Sequence, residues 1–253
     1  MSGGEPVCHW VNVLWRSIIK SRGLMFAIEC CWHSRTQLGN GSLLVSNLSI
    51  FEMGRRVGDQ IEHLYFINRG LVSLIKTMQD GRGVEIGAVG IEGIAGLGAL
   101  YGIESAILEW VCQISGDAFR VDRSWLRDEM TQDRALQELL QRSHALAVSQ
   151  FAQTAACNRL HSIRRRCCSW LLIAHDSAQS DGFELTHEFL AMMLGVQRAG
   201  VSLALNSLQK MGLIRYGRGR VKITDRVRLE KTACECYGTI RMHLDKLFGP
   251  SQE

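Results

Sequence analysis

The chain has 253 residues, with 29 Lys and Arg against 25 Asp and Glu and a formal net charge of +4. Apolar residues make up 46% and charged residues 21%, a balance that predicts a packed, soluble protein of one large or two ordinary domains. The two prolines, Pro6 and Pro250, stand near the ends of the sequence, so composition excludes a proline-rich linker between domains.

The nine cysteines lack the spacing of a familiar metal or redox motif. Cys30-Cys31 and Cys167-Cys168 are adjacent pairs, and Cys234 and Cys236 form a Cys-x-Cys sequence, but no Cys-x-x-Cys occurs. A zinc ribbon or a thioredoxin-type motif is therefore unsupported. We expect reduced, mostly buried thiols in a cytoplasmic protein, with no metal ion bound.

Residues 1–43 are the first of four predicted regions and have no clear periodicity. The apolar run Val7–Trp15 is too short to span a bilayer, and basic residues interrupt the sequence after it. It also lacks the charge-first order of a signal peptide. We expect an amphipathic segment packed on the next domain, with a membrane-surface or cysteine-ligated sensor role as the alternative.

Residues 44–123 have the pattern of a small β-rich domain, with a hairpin turn predicted at Asp80-Gly81. The glycine-dense loop Gly90–Ser105 is a candidate effector pocket, because glycines let a backbone approach a ligand and expose amides to an anion. Tight turns at the corners of a small barrel are the simpler interpretation. The candidate pocket residues are Gly93, Gly96, Gly98, Glu104 and Ser105. The predicted strands are Leu64–Ile67, Leu71–Met78, Val84–Val89 and Ile107–Ile114.

Residues 124–158 change to helical periodicity. Ser124 is placed to cap a short helix that begins at Trp125, and a longer helix is predicted from Asp133 to Asn158. Its apolar stripe is wider than packing on one domain requires, so we expect it to pair with the same helix of a second chain in a homodimer. Packing against its own barrel alone is the alternative. The stripe consists of Leu136, Leu139, Leu140, Leu146, Ala147 and Phe151, with Ala145, Ala152, Ala155 and Ala156 beside it.

Residues 159–253 contain two short helical patterns separated by Gly195 and followed by a glycine-punctuated hairpin. Thr186 is the predicted N-cap of the first helix, and Gly195 can end that helix because glycine tolerates a positive φ. The second predicted helix, Gln197–Met211, has one apolar and one polar face. Two such helices are typical of a helix-turn-helix, and the hairpin within 213–224 is typical of a wing.

The same region has a strong local excess of positive charge. Between Gln197 and Lys231 nine basic residues stand against two acidic ones, a net charge of +7 where the whole chain has +4. Such an excess on a helix-turn-helix pattern predicts binding to the phosphates of double-stranded DNA. The candidate DNA contacts are Thr186, Gln197, Arg198, Gly200, Ser202, Asn206, Arg218 and Arg220.

The order of these regions resembles the Crp/Fnr family of bacterial transcription regulators. The resemblance covers residues 44–229 and is carried by IEHLYFINRGLVSL at 61–74, ACNRLHSIRRRCCSWLLIAHD at 156–176 and, most specifically, 185–225. It implies an α+β fold: an N-terminal β-roll (a jelly-roll-like double-stranded β-helix) of the cyclic nucleotide-binding type, a long dimerisation helix and a C-terminal winged helix-turn-helix. It also implies a homodimer on a twofold-related DNA site, a small-molecule effector held by the roll, and contact with RNA polymerase.

Two departures from the family pattern bear on the effector. Cyclic-nucleotide-binding members carry a glutamate for the ribose and an arginine for the cyclic phosphate, whereas this chain has Ala95-Gly96-Leu97 and Glu104 at the matching positions. A carboxylate repels a phosphate, so we expect no binding of cyclic AMP. Iron–sulfur members place closely spaced cysteines near the N-terminus, a spacing absent here, so no cluster is expected. The cysteines compared are Cys8, Cys30, Cys31 and Cys112.

The second helix departs from the family pattern as well. Family members often read bases with residues close to Arg-Glu-x-x-Ser-Arg, and the matching segment here is RAGVSL at 198–203. Arg198 can make a bidentate contact to guanine, worth about 1–3 kcal/mol of discrimination. Ala199 cannot accept a hydrogen bond from cytosine, and Leu203 reaches neither guanine nor phosphate. The half-site that is usual in the family is therefore not expected.

Other classes of function have weaker support in the sequence. A small glycine-rich barrel can hold a metal in a cupin-like enzyme, but this barrel offers His63 and no His-x-His. No nucleophile stands in a recognisable triad context, so we expect no enzyme activity. A regulator of the same fold that is constitutive, or controlled by thiol oxidation, is the alternative that stays open.

Overall fold

A β-roll forms the amino-terminal part of the structure. The computed structural model describes residues 36–38, 43–49, 53–178 and 180–248, so most of the predicted segment 1–43 lies outside the described residues. The strands pair antiparallel in the order β1-β2-β6-β3-β4, with β5 paired to β3. They are β1 (Thr36–Leu38), β2 (Leu43–Ser49), β3 (His63–Thr77), β4 (Gly83–Val89), β5 (Ile94–Ala95) and β6 (Glu109–Asp122).

Strand β3 joins two strands that the sequence pattern separates. The predicted strands Leu64–Ile67 and Leu71–Met78 are halves of one strand, because Gly70, with a φ of 102°, bends the chain without ending it. The turn that follows is where it was predicted, with Gly81 at a φ of 81°. The glycine-dense loop is also partly regular, since it contains β5 and the 3-10 helix Leu97–Tyr101.

Strand β6 continues to Asp122, well beyond the predicted end at Ile114. Its pairing with β3 is irregular opposite Gly116, where the two backbones come into very close contact. A Cβ built on Gly116 would lie 1.8 Å from the carbonyl oxygen of Arg69. Glycine at this position therefore lets β6 pass the bend of β3 and stay in the sheet.

Three helices follow the roll. Asp122 caps the first, because its carboxylate accepts a hydrogen bond from the amide of Trp125 at 2.9 Å. The prediction of Ser124 as the cap was wrong: its hydroxyl donates to Asp122 Oδ1 at 2.5 Å. Asp133 caps the long helix, which begins as predicted and ends two residues later than predicted. The helices are α1 (Arg123–Gln132), α2 (Arg134–Leu160) and α3 (Ile163–Ala178).

The carboxy-terminal part contains a helix-turn-helix and a three-stranded sheet in the order β7-β9-β8. Strand β7, which was not predicted, pairs with β9 and anchors the chain just before the first helix of the pair. Among the described residues, no helix by itself has the length and apolarity to cross a membrane, although α4 and α5 pass that test as a pair bent by 107°. The elements are β7 (Gly182–Glu184), α4 (His187–Leu194), α5 (Arg198–Lys210), β8 (Ile214–Gly217), β9 (Arg220–Ile223), α6 (Arg226–Thr232) and α7 (Cys236–Phe248).

One apolar cluster joins the roll to the carboxy-terminal part. Leu171 and Leu172 of α3 are fully buried in it, together with Leu71 of β3 and Leu208 of α5. A buried leucine side chain contributes about 1.5–3 kcal/mol relative to an exposed one. Helix α3 therefore belongs to both halves of the molecule and sets how the helix-turn-helix is seated on the roll.

The contact at Gly116 generates a test of the fold. Gly116→Ala should lower the free energy of unfolding by roughly 3 kcal/mol, because the added methyl group must displace the Arg69 backbone. The matched control is Gly238→Ala in α7, where a Cβ would meet nothing within 4 Å. That change should stabilise the protein by about 0.5–1 kcal/mol. Urea unfolding measures both, and equal stabilities for the two variants would contradict the described contact.

Candidate nucleic-acid interface

The first helix of the pair is fixed at both ends as predicted. The hydroxyl of Thr186 accepts a hydrogen bond from the amide of Phe189 at 3.1 Å, and Gly195 ends α4 with a φ of 60°. The chain then turns so that α5 stands at a bend of 107° to α4, within the range of helix-turn-helix motifs. Helix α5 is held by its apolar side: Val201, Ala204, Leu205 and Leu208 are buried.

The opposite side of α5 faces solvent. We call its exposed residues Gln197, Arg198, Ala199, Leu203 and Asn206 the reading face. Leu203 is 73% exposed, which is unusual for a leucine on a packed helix. Two further predicted contacts, Gly200 and Ser202, are half-buried at the base of this face.

Arg198 pairs with a carboxylate in the absence of DNA. Its Nε lies 2.9 Å from Glu188 Oε1, and the two side chains are 66% and 62% exposed. An exposed ion pair of this kind contributes about 0–1 kcal/mol. A guanine edge or a phosphate can therefore compete with Glu188 for the guanidinium group at little cost.

Ser202 has a positioning contact rather than a free hydroxyl. Its Oγ lies 2.8 Å from Nδ1 of His187, and the His187 ring stacks on Tyr216 with ring centroids 4.7 Å apart. The Tyr216 amide donates to Gln209 Oε1 at 2.8 Å. These contacts tie α5 to β8. Sequence reasoning missed His187 and Tyr216, since partners so far apart in the chain share no periodic signal.

The hairpin β8–β9, which we call the wing, has a two-residue turn. Arg218 and Gly219 occupy it with φ values of 51° and 71°, the positive pair that a type I′ turn requires. Arg218 is exposed at the tip. Arg220 is 64% exposed, with its NH1 4.0 Å from Glu184 Oε1, so both predicted wing arginines are accessible.

Comparison with known proteins agrees with this geometry. The family model described as the Crp-like helix-turn-helix domain matches residues 165–232, which contain α4, α5 and the wing. We call residues 165–232 the Crp-like domain. Among curated proteins, no sequence matches the chain.

Solved structures extend the similarity to the roll and the long helix. FixK2 from Bradyrhizobium japonicum superposes with a TM-score of 0.62 at 20% identity, over 76% of this chain and 98% of that one. TTHB099, a CRP-family regulator from Thermus thermophilus, gives 0.59 at 22% identity, over 76% and 96%. At these identities the likeness establishes the fold, which is that of the Crp/Fnr regulators. The family resemblance and the fold class predicted from the sequence are therefore confirmed.

One basic residue counted in the charge excess is not available to DNA. Arg226, at the start of α6, donates to the Tyr237 hydroxyl at 2.7 Å and lies 2.7 Å from an Asp176 carboxylate oxygen. Glu230 pairs with it as well, at 3.1 Å. Arg226 therefore ties α6 to α3 and α7, a structural role that counting charges along the sequence cannot distinguish from phosphate binding.

The candidate effector residues of the roll each have a local structural contact. A Cβ on Gly96, which has a φ of 89°, would lie 3.1 Å from the His63 carbonyl oxygen, so this glycine serves a close backbone contact. The amide of Gly93 donates to the carbonyl oxygen of Gly90 at 3.0 Å and closes a turn. Ser105 forms an isolated β-bridge with Gln60. Gly98 lies in the 3-10 helix, against the side chain of Ile103.

Glu104 is exposed and compensated by charge. One carboxylate oxygen lies 3.2 Å from Arg127 and 3.5 Å from Arg123. Two guanidinium groups of α1 therefore neutralise the carboxylate that was expected to repel a phosphate. Apolar side chains form a buried cluster in the roll, which includes Tyr65 and Trp110 at 3% and 6% exposure.

A cavity of about 600 Å³ lies outside the roll, between β4, α2, α3 and α7. Two glutamates line it: Glu85, which is buried, and Glu92, which is half-buried. Burial raises the pKa of Glu85 to about 7, although hydrogen bonds from Ser73, Trp170 and Gln113 act in the opposite direction and lower it. Burial also raises the pKa of Glu92. On the facing helix, burial lowers the pKa of His175. No sequence motif indicated this cavity, because its walls come from four separate elements.

A cluster of thiols and one imidazole lies where the end of α2 meets the start of α7. Cys157, His161, Cys234 and Cys236 place their donor atoms within 4.8 Å of one another. A hydrogen bond from Cys157 lowers the pKa of the Cys234 thiol below its usual value. From the sequence these thiols were expected to be reduced, mostly buried and without a metal ion. The signal that was missed is Cys157-x-x-x-His161, two ligands four residues apart on one helical face, which the fold brings to Cys234 and Cys236.

Glu85 supplies a pH-dependent test. The buried carboxyl keeps its proton up to about pH 7, while its unperturbed pKa is 4.5, so stability should fall as the pH rises through this window. Glu85→Gln removes the effect. At about pH 8 the variant should be more stable than the parent by about 2–3 kcal/mol, and at about pH 4 the two should be equal. Thermal or urea unfolding at both pH values measures it.

The control for that experiment is Glu62→Gln, which removes the same charge from an exposed side chain of the roll. It should change the free energy of unfolding by no more than about 0.5 kcal/mol at either pH. If Glu85→Gln and its parent had the same free energy of unfolding at both pH values, the result would contradict a raised pKa for Glu85.

Proposed function

We propose that this protein is a homodimeric transcription regulator that places α5 of each subunit in the major groove of a twofold-related DNA site. The observation that carries the proposal is the exposed, polar reading face of α5 beside two accessible wing arginines, Arg218 and Arg220. A cytoplasmic location follows from DNA as the partner, and the proposal includes no enzyme activity. Contact with RNA polymerase is a further element, because Crp/Fnr-type activators recruit it.

In this proposal some of the candidate residues contact base edges and others contact phosphates. Arg198 leaves Glu188 to bind guanine O6 and N7, and Gln197 and Asn206 supply amide donors and acceptors to neighbouring bases. The exposed Leu203 fits the methyl group of thymine, an apolar contact that the major groove offers. The wing arginines and Thr186 bind phosphate, and Gly200 and Ser202 keep the helix close to the groove.

The homodimer is supported by the surface of α2. Leu136, Leu140 and Leu146 are buried against the chain's own domains. On the opposite side a row of small apolar residues is exposed at heptad spacing, including Val148 at 53% exposure. This spacing suits a coiled-coil seam between two copies of α2. The row consists of Ala145, Val148, Ala152 and Ala155.

The proposal treats the cyclic-nucleotide pocket of the roll as degenerate. Support comes from the apolar filling of the roll by Tyr65 and Trp110, and from the outward, paired position of Glu104. A small-molecule effector would have more room in the cavity beside Glu85 and Glu92. A second candidate, thiol-redox control, is favoured by Cys157 and Cys234, whose Sγ atoms are 3.5 Å apart.

Selection of bound sequences from random DNA tests the proposal directly. The purified chain should select a motif with twofold symmetry and half-sites about one helical turn apart, the spacing that two recognition helices of a dimer impose. Enrichment of a motif without twofold symmetry, or of none, would reject the proposed binding mode.

Two arginine variants should separate base reading from phosphate binding. Arg198→Ala should cost about 1–3 kcal/mol at one guanine per half-site and relax the motif there. Arg218→Ala should weaken binding to all sequences alike and lower the slope of log affinity against log salt by about one per subunit. Arg134→Ala, which removes a charge at the distant start of α2, is the control and should leave both unchanged. Identical motifs for Arg198→Ala and its parent would refute the base contact.

A charge on the exposed row of α2 tests the dimer. Ala152→Glu should give a monomer and reduce affinity for a full site by at least about 100-fold, because the second half-site no longer adds to binding. Ala135→Glu makes the same change at the first turn of the same helix, away from the row, and should stay dimeric. Sedimentation velocity measures the oligomeric state of both variants. A dimeric Ala152→Glu variant would show that the dimer interface lies elsewhere.

A further inference from the structure

Four side chains from two distant segments converge beneath the Crp-like domain. Cys157 and His161 occupy one face of the last turns of α2, and Cys234 and Cys236 flank the start of α7. Their donor atoms all lie within 4.8 Å of one another. Cys157 Sγ lies 3.5 Å from Cys234 Sγ, and Cys236 Sγ lies 3.4 Å from His161 Nδ1.

The Cys157–Cys234 and Cys236–His161 separations match the edges of one coordination tetrahedron, and the 4.8 Å that bounds all pairs is about 1 Å longer than such an edge. With Zn–S bonds of about 2.3 Å and Zn–N bonds of about 2.0–2.1 Å, tetrahedral ligand atoms stand roughly 3.5–3.8 Å apart. A [4Fe–4S] cluster binds each cysteine through a different iron, and a [2Fe–2S] cluster divides four ligands between two irons, so in both some protein ligands stand farther apart than the donors of one ion. Three thiolates and one imidazole in a tetrahedron favour zinc among the common divalent metals.

The groups around the four donors are those that hold metal ligands in place. While His161 presents Nδ1 to the cluster, its Nε2 lies 3.0 Å from Glu235 Oε1, and Arg165 donates to the other Glu235 oxygen at 3.3 Å. Such a carboxylate fixes the ring and its tautomer. Gln153 Nε2 donates to Cys236 Sγ at 3.0 Å, and Ser169 Oγ lies 2.9 Å from Cys234 Sγ.

Burial and charge also suit a bound cation with three thiolates. Cys234 and Cys236 are 3% and 4% exposed, so the sulfur atoms are shielded from water. One Zn²⁺ with three thiolates and a neutral imidazole has a net charge of −1. The buried guanidinium group of Arg166 donates to Asn158 Oδ1 and to the Leu194 carbonyl oxygen. It lies close enough to Cys157 and Cys234 to interact electrostatically with both, so its positive charge would balance the site.

We infer that Cys157, His161, Cys234 and Cys236 bind one structural zinc ion that clamps the end of α2 to the start of α7. On binding, the three thiols release their protons to solvent and no electrons are transferred. All four positions are filled by the protein, which is typical of a structural rather than a catalytic site. The ion adds to protein contacts between the same helices, such as Ser149 Oγ to His243 Nδ1 at 2.6 Å.

The position of the site gives it a mechanical role that rests on the proposed function. Helix α2 carries the proposed dimer seam, and α7 packs behind the Crp-like domain. An ion between them fixes the angle of the DNA-binding domain to the dimer axis, and therefore the distance between two reading faces. Loss of the ion should loosen that distance and weaken binding to a full site more than to a half-site.

The test is the metal content of the full chain, purified under reducing conditions without chelator and measured by inductively coupled plasma mass spectrometry. We expect about one zinc per chain. Cys236→Ser and Cys157→Ser should lose it, and Cys112→Ser, which makes the same change in the roll, should retain it. The cobalt(II)-loaded protein should show sulfur-to-metal charge transfer and the intense visible bands of a tetrahedral ion, both lost in the first two variants.

A variant that keeps all four donors tests the site without removing a ligand, so a loss of zinc cannot be attributed to misfolding caused by a cysteine substitution. Glu235→Gln removes the exposed partner of His161 and should weaken zinc affinity by about 10–100-fold in chelator competition. Zinc well below one per chain, iron with cluster absorption, or a Cys157–Cys234 disulfide in the protein as purified under reducing conditions would each overturn the inference. None of these measurements involves DNA, so the zinc site and the proposed regulator function can fail independently.

Discussion

The left-handed turn at Gly195 is the constraint on which the DNA-binding surface depends. Its φ of 60° ends α4 and allows α5 to cross it, so that the apolar side of α5 is buried and the reading face is exposed. A Cβ on Gly195 would also lie 2.8 Å from a methyl group of Val84 in the roll. The same residue therefore sets the bend of the helix pair and its contact with the roll, and no other residue type satisfies both at low cost.

The contact between α4 and β4 has a functional consequence. The roll, α3 and the helix-turn-helix share one apolar cluster, so a movement of β4 is transmitted to α4 by packing rather than by a flexible linker. The cavity lined by Glu85 and Glu92 borders the same strand β4. The four donors of the inferred zinc site join the end of α2 to the start of α7. Helix α3 shares its apolar cluster with the roll and with α5, so its position determines how α5 is oriented on the roll.

What the sequence could predict depends on the distance over which each feature is determined. The cap at Thr186, the stop at Gly195 and the turn at Asp80-Gly81 are local, and all three were predicted correctly. The split of β3 at Gly70 and the cap at Ser124 were predicted wrongly, because a bent strand and a break have the same local signal, as do two neighbouring cap residues. Partners such as His161 and Cys234, or Arg226 and Asp176, meet only after the chain has folded, so neither pair was predictable from spacing.

The most direct test of the account is methylation interference on DNA that the protein itself selects. Methyl groups on guanine N7 lie in the major groove, where the account places Arg198. We expect methylation to block binding at guanines in two segments about one helical turn apart on one face of the duplex. Binding that tolerates N7 methylation at every guanine, or that is blocked only by minor-groove adenine methylation, would contradict the central claim that α5 reads the major groove.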